Sequence, residues 1–437
     1  MQHITPPECR SSLREPAEKS RLARCTDLLL NFFYLLLTVW VLDRLLNRVM
    51  NPYDFSDPDS SFYDFLFNYS AGFIRRGLNG EILFALHNWF GIPPTLFVTV
   101  VSLACFAIIS WFLVKNFIRK GMGLQVLLAS FALGALAQYG FDFMRRDYME
   151  LALLLAVIYS YKNLSVRRWL ILGNALMIFG MLLHEGTFFH TVPALIILTY
   201  LDTDKFWKSC LAWSPCILTL LICCIFKGTP ADLPMIEGTA RDTFPALFQT
   251  AETPQILAYI AWDKNDVFKM VIHDNITGVD SLGIPAIVYT LALICYVGFL
   301  AILMPVAFAR KRIKRDNVKL LTTIMLFQLI SLLPMLLLFS IDFSRDMLYW
   351  VISSYIIYFG LNERESVKIV NSRLTRFIPA LGKRTTRYVQ SPISKIGFTL
   401  LLIMVGIPFV GRTLELIKVN SYWYESGVIN SLKSLLS

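Results

Sequence analysis

The sequence predicts an all-α, polytopic transmembrane helix bundle of about eleven spans, within a range of roughly ten to twelve. Hydrophobic residues make up 56% of the 437 residues and charged residues only 16%, whereas a soluble domain carries roughly 25% charge. The apolar residues concentrate in runs of about 15 to 23, each flanked by charge, and a helix of that length crosses a hydrocarbon core of about 30 Å. An aromatic content of 14% fits interfacial belts of Trp and Tyr.

The eleven apolar runs define the predicted spans and divide the chain. They cover 28–47, 93–114, 124–140, 148–161, 169–184, 188–201, 209–226, 284–307, 320–341, 347–361 and 396–411. Several runs are short, which predicts broken or re-entrant helices surrounded by protein or by a cavity. The spans form a domain over 28–411, between an N-terminal tail (1–27) and a C-terminal tail (412–437).

Basic residues predict the orientation of the bundle. If residues 1–27 are cytoplasmic, the other segments on the inner side are 115–123, 162–168, 202–208, 310–319 and 361–395. These six inner segments hold 27 of the 41 Lys and Arg residues but only 9 of the 31 acidic ones. The inner side then carries a net charge of +18 and the rest of the chain −8, as the positive-inside rule requires. The chain is therefore expected in the inner (plasma) membrane, with its N-terminus in the cytoplasm and its C-terminal tail outside.

Three segments outside the spans are long enough to form structure of their own. The outer loops 48–92 and 227–283 mix aromatic, acidic and apolar residues, and we expect short amphipathic helices on the membrane surface, including 62–67 and 82–90. The inner segment 361–395 is basic and amphipathic, which predicts a cytoplasmic helix against anionic headgroups rather than a dedicated partner site.

Several classes of function receive no support from the sequence. The net charge of +10 lies mostly in short inner loops, which argues against nucleic-acid binding. The eight cysteines show no disulfide or metal pattern and are interpreted as core residues. No Walker-type loop or dinucleotide fingerprint occurs. No cofactor is predicted, and a divalent metal is conceivable but unsupported.

The first candidate site is a pair of adjacent arginines between glycines. Arg75 and Arg76 lie in the run Gly-Phe-Ile-Arg-Arg-Gly-Leu, which predicts a turn carrying two guanidinium groups. Guanidinium groups match phosphate oxygens in a bidentate way. The alternative is an interfacial salt bridge with Asp64 or Glu81.

Two further charged clusters lie at predicted outer hairpins. The first contains Asp142, Arg145, Arg146 and Asp147, with Glu150 one turn further on. Charges at this depth are costly unless they pair or face a watery cavity, so these residues either join two helices or contact a substrate.

The other hairpin cluster contains Asp342, Arg345 and Asp346 and repeats the Asp-Phe-x-Arg pattern. The repetition fits a shared physical role better than an internal repeat.

A bend between two apolar runs carries His184 and Glu185, followed by His190. A carboxylate in such surroundings has a raised pKa unless it is paired, so Glu185 is a candidate general acid or base. Structural pairing with His184 is the competing interpretation. The spacing of the histidines is not that of a zinc-protease helix, and no metal ligands are predicted.

These clusters predict one pocket at the outer membrane surface. Glu185, Asp147 and Asp64 are the candidate catalytic acids, and the expected phosphate ligands are Arg75, Arg76, Arg145, Arg146 and Arg345. His184, Asp142, Asp342 and Asp346 would support them. Such a pocket suits a lipid-linked phosphate substrate, because arginines stabilise the leaving charge and a carboxylate accepts the proton of the acceptor hydroxyl.

The same short motifs resemble those of polytopic membrane enzymes that assemble bacterial surface polysaccharides. The architecture is similar to glycosyltransferases of the GT-C type and to O-antigen polymerases. The GT-C resemblance implies acidic residues in the first large outer loop, where Asp54, Asp57, Asp59 and Asp64 lie. The polymerase resemblance implies outer arginines that bind the lipid pyrophosphate. It implies a lipid-linked glycan substrate, membrane lipids and other polysaccharide-assembly proteins as partners.

Other classes of function stay open at this point. A transporter or flippase for a lipid-linked or small anionic substrate needs ionisable residues within its spans, and these are scarce in the sequence. A membrane acyltransferase could use His184 and Glu185, but it would leave the excess of outer arginines unexplained. A non-enzymatic assembly protein accounts for the basic segment 361–395 and not for the outer clusters.

Overall fold

The structure of this protein is a computed structural model. It describes residues 23–36, 38–39, 61–125, 146–248, 254, 257, 264–279, 283–309, 313–338, 343–372, 375 and 383–405.

These parts of the chain are helical and contain no β-strand, which confirms the predicted all-α class for the described residues. The α-helices before the second predicted outer loop are α1 (23–36), α2 (Leu78–Phe90), α3 (Pro94–Lys120), α4 (Asp147–Asn163), α5 (Val166–Leu183), α6 (Thr187–Thr203), α7 (Phe206–Ala212) and α8 (Ser214–Ile225). They are followed by α9 (Leu233–Thr243), α10 (Lys264–Ile272), α11 (Ala286–Ala307), α12 (Arg315–Leu338), α13 (Phe343–Gly360), α14 (Glu363–Val370), α15 (Lys383–Val389) and α16 (Pro392–Val405). Short 3₁₀ turns cover Ser61–Leu66 and Pro245–Leu247, and a π-helical turn covers His273–Thr277.

Four of these helices are long and apolar enough to cross a membrane, namely α3, α5, α11 and α12. The pair α7 and α8 adds a fifth if its two parts form one span, bent by 56° at Trp213. Helices also lie at the other predicted span positions, except 124–140, which falls almost wholly outside the described residues. The total of eleven spans stays a prediction, because helices such as α4 are shorter and carry charge at both ends.

Helix α4 has three helical neighbours. It packs against α3, α5 and α13. Leu151, Leu154 and Val157 are buried along it, and the backbone of Gly360 in α13 lies so close to Ile158 that a methyl group there would approach within 2.2 Å. A helix buried on several sides is expected to be apolar all round, and α4 departs from this only near its ends.

The two predicted outer loops pack against each other and form a separate apolar cluster. Its buried members include Phe62, Phe65, Leu66, Leu83, Ile236 and Phe244. The amide of Asn68 donates to the Ile236 carbonyl at 3.0 Å, and the Tyr63 hydroxyl donates to the Leu247 carbonyl at 2.6 Å. Helical segments thus occur near both predicted positions in the first loop, and they bury apolar residues between the loops.

Helix α2 is fixed to this cluster through a close backbone contact at Gly80. The Gly80 amide donates to the Phe67 carbonyl at 2.8 Å, and an added methyl group at Gly80 would approach that oxygen within 2.3 Å. The start of α2, and with it the turn that precedes it, therefore depends on a residue without a side chain.

We expect Gly80→Ala to destabilise the protein by about 1–3 kcal/mol, because the clash involves backbone atoms and outweighs the better helix propensity of alanine. Thermal unfolding of the full chain in lipid nanodiscs measures the effect. Gly238→Ala is the matched control: Gly238 also lies inside a helix, but no atom would meet the new methyl group. The control should keep or raise the melting temperature, and equal losses for both variants would contradict the explanation.

Candidate functional site

The turn before α2 places two guanidinium groups side by side. Gly72 and Arg76 both have positive φ angles, 98° and 68°. This conformation is ordinary for glycine but uncommon for arginine, and such residues cluster at functional sites. Gly77 follows directly, and its backbone lies against the ring of Tyr69, where a methyl group would come within 2.2 Å of a ring carbon. The backbone amide of Arg75 donates to the Phe226 carbonyl at 2.8 Å, so the turn is anchored at the end of α8.

Both arginines bind the carboxylate of Glu185, which lies in the three-residue bend between α5 and α6. Arg76 donates from Nε to Oε2 at 2.9 Å and from Nη2 to Oε1 at 2.7 Å, which is a bidentate pair. Arg75 approaches the same carboxylate, with Nη1 at 3.0 Å from Oε1. The contact joins residues more than a hundred positions apart and brings the first and fourth predicted clusters together.

A third arginine connects Asp64 to the same bend. Arg146 donates from Nη1 to the Leu183 carbonyl at 2.7 Å and from Nη2 to the Asp64 carboxylate. Asp64 also lies 3.7 Å from Nη1 of Arg76. These five residues (Arg75, Arg76, Arg146, Asp64 and Glu185) are called the arginine layer below. Counted over these five described residues alone, three guanidinium groups lie together with two carboxylates.

The members of the arginine layer differ in exposure. The Arg75 side chain keeps 31% of its surface exposed, against 21% for Arg76 and 2% for Arg146. Arg146 is committed to protein partners by both terminal nitrogens, whereas Arg75 makes a single ion pair through Nη1. Arg75 is therefore the guanidinium most accessible to an external anion.

Ion pairing decides the charge state of Glu185. Burial alone would raise its pKa, but Arg75, Arg76 and the neighbouring His184 outweigh burial and hold the pKa well below the ordinary value. Burial lowers the pKa of Arg75, and Glu185 opposes that change. The raised pKa expected for an unpaired Glu185 does not apply, because the structure pairs it. At neutral pH this carboxylate is charged and a weak proton acceptor.

A second group of polar residues, the inner layer, lies behind the arginines and consists of Glu150, His184, Thr187 and His190. Glu150 in the first turn of α4 is fully buried. Its Oε1 lies 3.2 Å from Nδ1 of His184 and its Oε2 3.9 Å from Nε2 of His190. Thr187 donates to the same carboxylate at 2.9 Å. Imidazoles, unlike guanidinium groups, exchange protons near neutral pH.

Asp147 links the site to α13. Its Oδ1 accepts a hydrogen bond from the Tyr349 hydroxyl at 2.5 Å, and the Tyr349 ring stacks on His190 with centroids 4.3 Å apart. Asp346 is buried in the first turn of the same helix. Asp147 of the second predicted cluster thus contacts α13, the helix whose first turn carries Asp346 of the third.

The predicted site residues fall into three groups. Those in the arginine and inner layers are Arg75, Arg76, Arg146, Asp64, Glu185 and His184. Asp147 and Asp346 are buried near them. Asp142, Arg145 and Asp342 lie outside the described residues, and Arg345 belongs to α13 with its side chain outside the description.

Some contacts were not foreseen in the sequence. Glu81, proposed as a salt-bridge partner of the arginines, accepts a hydrogen bond from the Tyr69 amide at 2.8 Å. Asn79 donates to the Leu183 carbonyl at 2.9 Å and so supports the bend. Tyr349 carried no recognisable signal, because tyrosine in an apolar run is ordinarily a core residue. Within the described parts of the chain, no group of three or more His, Cys, Asp and Glu residues could hold a metal ion.

The arrangement predicts how stability depends on Glu185 and on pH. A carboxylate with a depressed pKa stabilises the fold above its unfolded pKa of about 4.3 and loses that contribution as pH falls through its folded pKa. We expect Glu185→Gln to cost about 3 kcal/mol at pH 7, because two guanidinium groups lose their partner. Melting curves of both proteins should differ at pH 7, and the difference should shrink below the unfolded pKa and vanish only as pH falls through the depressed folded-state pKa of Glu185.

The exposed carboxylate Glu363 at the start of α14 provides the control for this measurement. Glu363→Gln should change stability by less than about 0.5 kcal/mol. A difference between wild type and Glu185→Gln that is independent of pH would show that the carboxylate charge is not what stabilises the bend.

Comparisons with known proteins identify no relative of this chain. No protein-family model matches it, and no curated protein and no solved structure is significantly similar.

Proposed function

We propose that this protein is an integral membrane enzyme of the glycosyltransferase kind. It would transfer a sugar or oligosaccharide from a donor linked to polyprenyl phosphate or pyrophosphate, at the outer face of the membrane, during assembly of a cell-surface polysaccharide. The observation that carries the proposal is the cluster of three arginines beside apolar helices, with Arg75 partly exposed. A substrate with an anionic headgroup and an apolar tail matches both features.

Arg75 is the proposed first contact of the donor phosphate. It is the most exposed arginine of the layer and is bound to Glu185 through Nη1. A phosphate oxygen could replace Glu185 at Arg75 while the bidentate pair between Arg76 and Glu185 stays intact. Glu185 would then keep Arg76 as its partner while the anion binds Arg75. This matters because a buried carboxylate that loses every partner is costly.

The proposed reaction moves one glycosyl group. The acceptor hydroxyl oxygen bonds to the anomeric carbon of the donor, the bond from that carbon to the phosphate oxygen breaks, and its electron pair leaves with the phosphate. Arg75 stabilises the negative charge that develops on the leaving phosphate. Arg76 and Arg146 hold Arg75 in position through their ion pairs with Glu185 and Asp64. The hydroxyl proton passes to a protein base, for which Asp147 is the candidate, since Glu185 and Asp64 are both paired with arginines.

The proposed topology places this site outside the cell. It retains about eleven spans, a cytoplasmic N-terminus in the inner (plasma) membrane and a C-terminal tail outside. The bend at Glu185 then faces the exoplasmic side, where lipid-linked glycans are used, and other polysaccharide-assembly proteins would be partners.

A transporter for an anionic substrate is the second candidate, and one observation favours it. Glu150 and His190 are fully buried, and ionisable residues inside a membrane bundle often mark a transport or proton pathway. Their position in the first turns of α4 and α6, close to the arginine layer, fits surface chemistry better than a site at the midplane.

Transfer activity tests the proposal directly. Purified full-length protein in nanodiscs is given a radiolabelled glycan on undecaprenyl pyrophosphate and an acceptor glycan. Wild-type protein should form a longer lipid-linked or free glycan. Arg146→Ala and Glu185→Gln should each lower the rate at least about 100-fold, the usual effect of disrupting electrostatic stabilisation.

Arg241→Gln is the matched control. Arg241 is another arginine of the outer loops, but it pairs with Glu237 in its own helix and lies on the ring of Phe248. This variant should keep full activity. Two results together would reject the transferase and support the transporter. These are no product from inserted, folded wild-type protein and uptake of the donor into sealed vesicles.

Labelling from one side of the membrane tests the topology. In a cysteine-free background, Ser70→Cys should react with a membrane-impermeant maleimide in sealed right-side-out vesicles, because Ser70 is exposed in the first outer loop. Lys205→Cys, exposed between α6 and α7, should react only after permeabilisation. The reverse pattern would place the arginine layer in the cytoplasm.

A further inference from the structure

The bent helix pair α7 and α8 ends at the arginine layer. The carbonyl of Phe226, the first residue after α8, accepts the backbone hydrogen bond from Arg75. The outer end of α8 therefore contacts the backbone of Arg75, the residue whose guanidinium is the most exposed of the arginine layer.

One face of α8 is apolar and open. Leu218, Leu221 and Ile225 follow the spacing of a single helix face and are 59%, 54% and 69% exposed. Cys216 and Cys223 on the opposite side are fully buried, in contact with α5. The helix of twelve residues is about 18 Å long, more than half of a hydrocarbon core of about 30 Å.

Aromatic rings continue this face up to the arginines. Phe73 packs edge-on against Phe226 with ring centroids 5.6 Å apart, and it stacks on Tyr69 at 5.4 Å. Both phenylalanines remain about half exposed. The apolar surface thus runs from α8 onto the turn itself and gives way to positive charge within two residues, between Phe73 and Arg75.

We infer that the exposed face of α8, closed at its outer end by Phe73 and Phe226, binds the isoprenoid tail of a polyprenyl phosphate whose phosphate group contacts Arg75. The inference rests on the proposed function and names where its lipid donor lies. The tail of a lipid phosphate is attached to a charged group, so its binding surface must be apolar and must end at a cation. The exposed face of α8 continues through Phe226 and Phe73 and ends beside Arg75. Helix α3 also exposes apolar residues, among them Val100 and Ile108, but its basic residues Arg119 and Lys120 lie in its last turn, at the predicted inner end.

Photo-crosslinking tests the inference without requiring catalysis. Full-length protein in nanodiscs of neutral phospholipid is incubated with undecaprenyl phosphate that carries a diazirine near the phosphate end of its tail. Mass spectrometry should locate crosslinks mainly on 214–226, and Arg75→Gln should reduce them at least about tenfold, since the phosphate anchors the tail. Two results would overturn the inference by showing ordinary lipid contact. One is an equal amount of crosslinking on α3 and α8, and the other is an amount on α8 that is the same in wild type and in Arg75→Gln.

Affinity for short and long chains gives a second readout. The double variant Leu218→Ala and Leu221→Ala should bind the long-chain phosphate roughly tenfold more weakly, because buried methylene groups lose contacts. Its affinity for a short geranyl phosphate should not change. Val100→Ala with Ile108→Ala on α3 is the matched control and should behave as wild type. Equal losses for both chain lengths would indicate structural damage and contradict a tail site.

Failure of this inference can be told apart from failure of the proposed function. Sugar transfer by wild type without preferential crosslinks on α8 would keep the enzyme and reject the tail site. Crosslinks on α8 that depend on Arg75, without any sugar transfer, would keep the tail site and reject the transferase.

Discussion

The ion pairs of Glu185 with Arg75 and Arg76 are the interaction on which the rest of the site depends. A buried carboxylate is costly without a partner, and two guanidinium groups in a strained turn supply it. The pairing holds the turn before α2 against the bend between α5 and α6. Arg146 strengthens the junction by binding both the Leu183 carbonyl and Asp64, so three segments distant in the chain are fixed as one unit.

The two polar layers have different chemical properties. The arginine layer consists of guanidinium groups, which stay charged over the physiological pH range, and of two carboxylates. The inner layer joins a buried carboxylate to two histidines and a threonine hydroxyl. His184 and Glu185 are neighbours in sequence yet belong to different layers by their contacts, so this bend connects the two layers.

The arginine layer has two different neighbours. On one side the two predicted outer loops form an apolar cluster that includes the residues next to Asp64 and residues of α2. On the other side α8 has exposed leucines, and the aromatic pair Phe73 and Phe226 continues its surface towards Arg75. The charges therefore lie between a protein-covered surface and an exposed apolar one, which is the arrangement that the proposed amphiphilic substrate with an anionic head requires.

The sequence by itself determined the helical class and the positions of most helices. Long apolar runs leave a backbone in lipid no alternative to internal hydrogen bonds, and they show directly in composition. It also singled out Arg75, Arg76, Arg146 and Glu185, because charges are rare in such a chain. Which charge pairs with which was decided only by tertiary structure: Asp64 and Glu81 were both plausible partners of the arginines, and the arginines pair with Asp64 and Glu185. Local spacing cannot encode a contact between helices that meet only when the bundle packs.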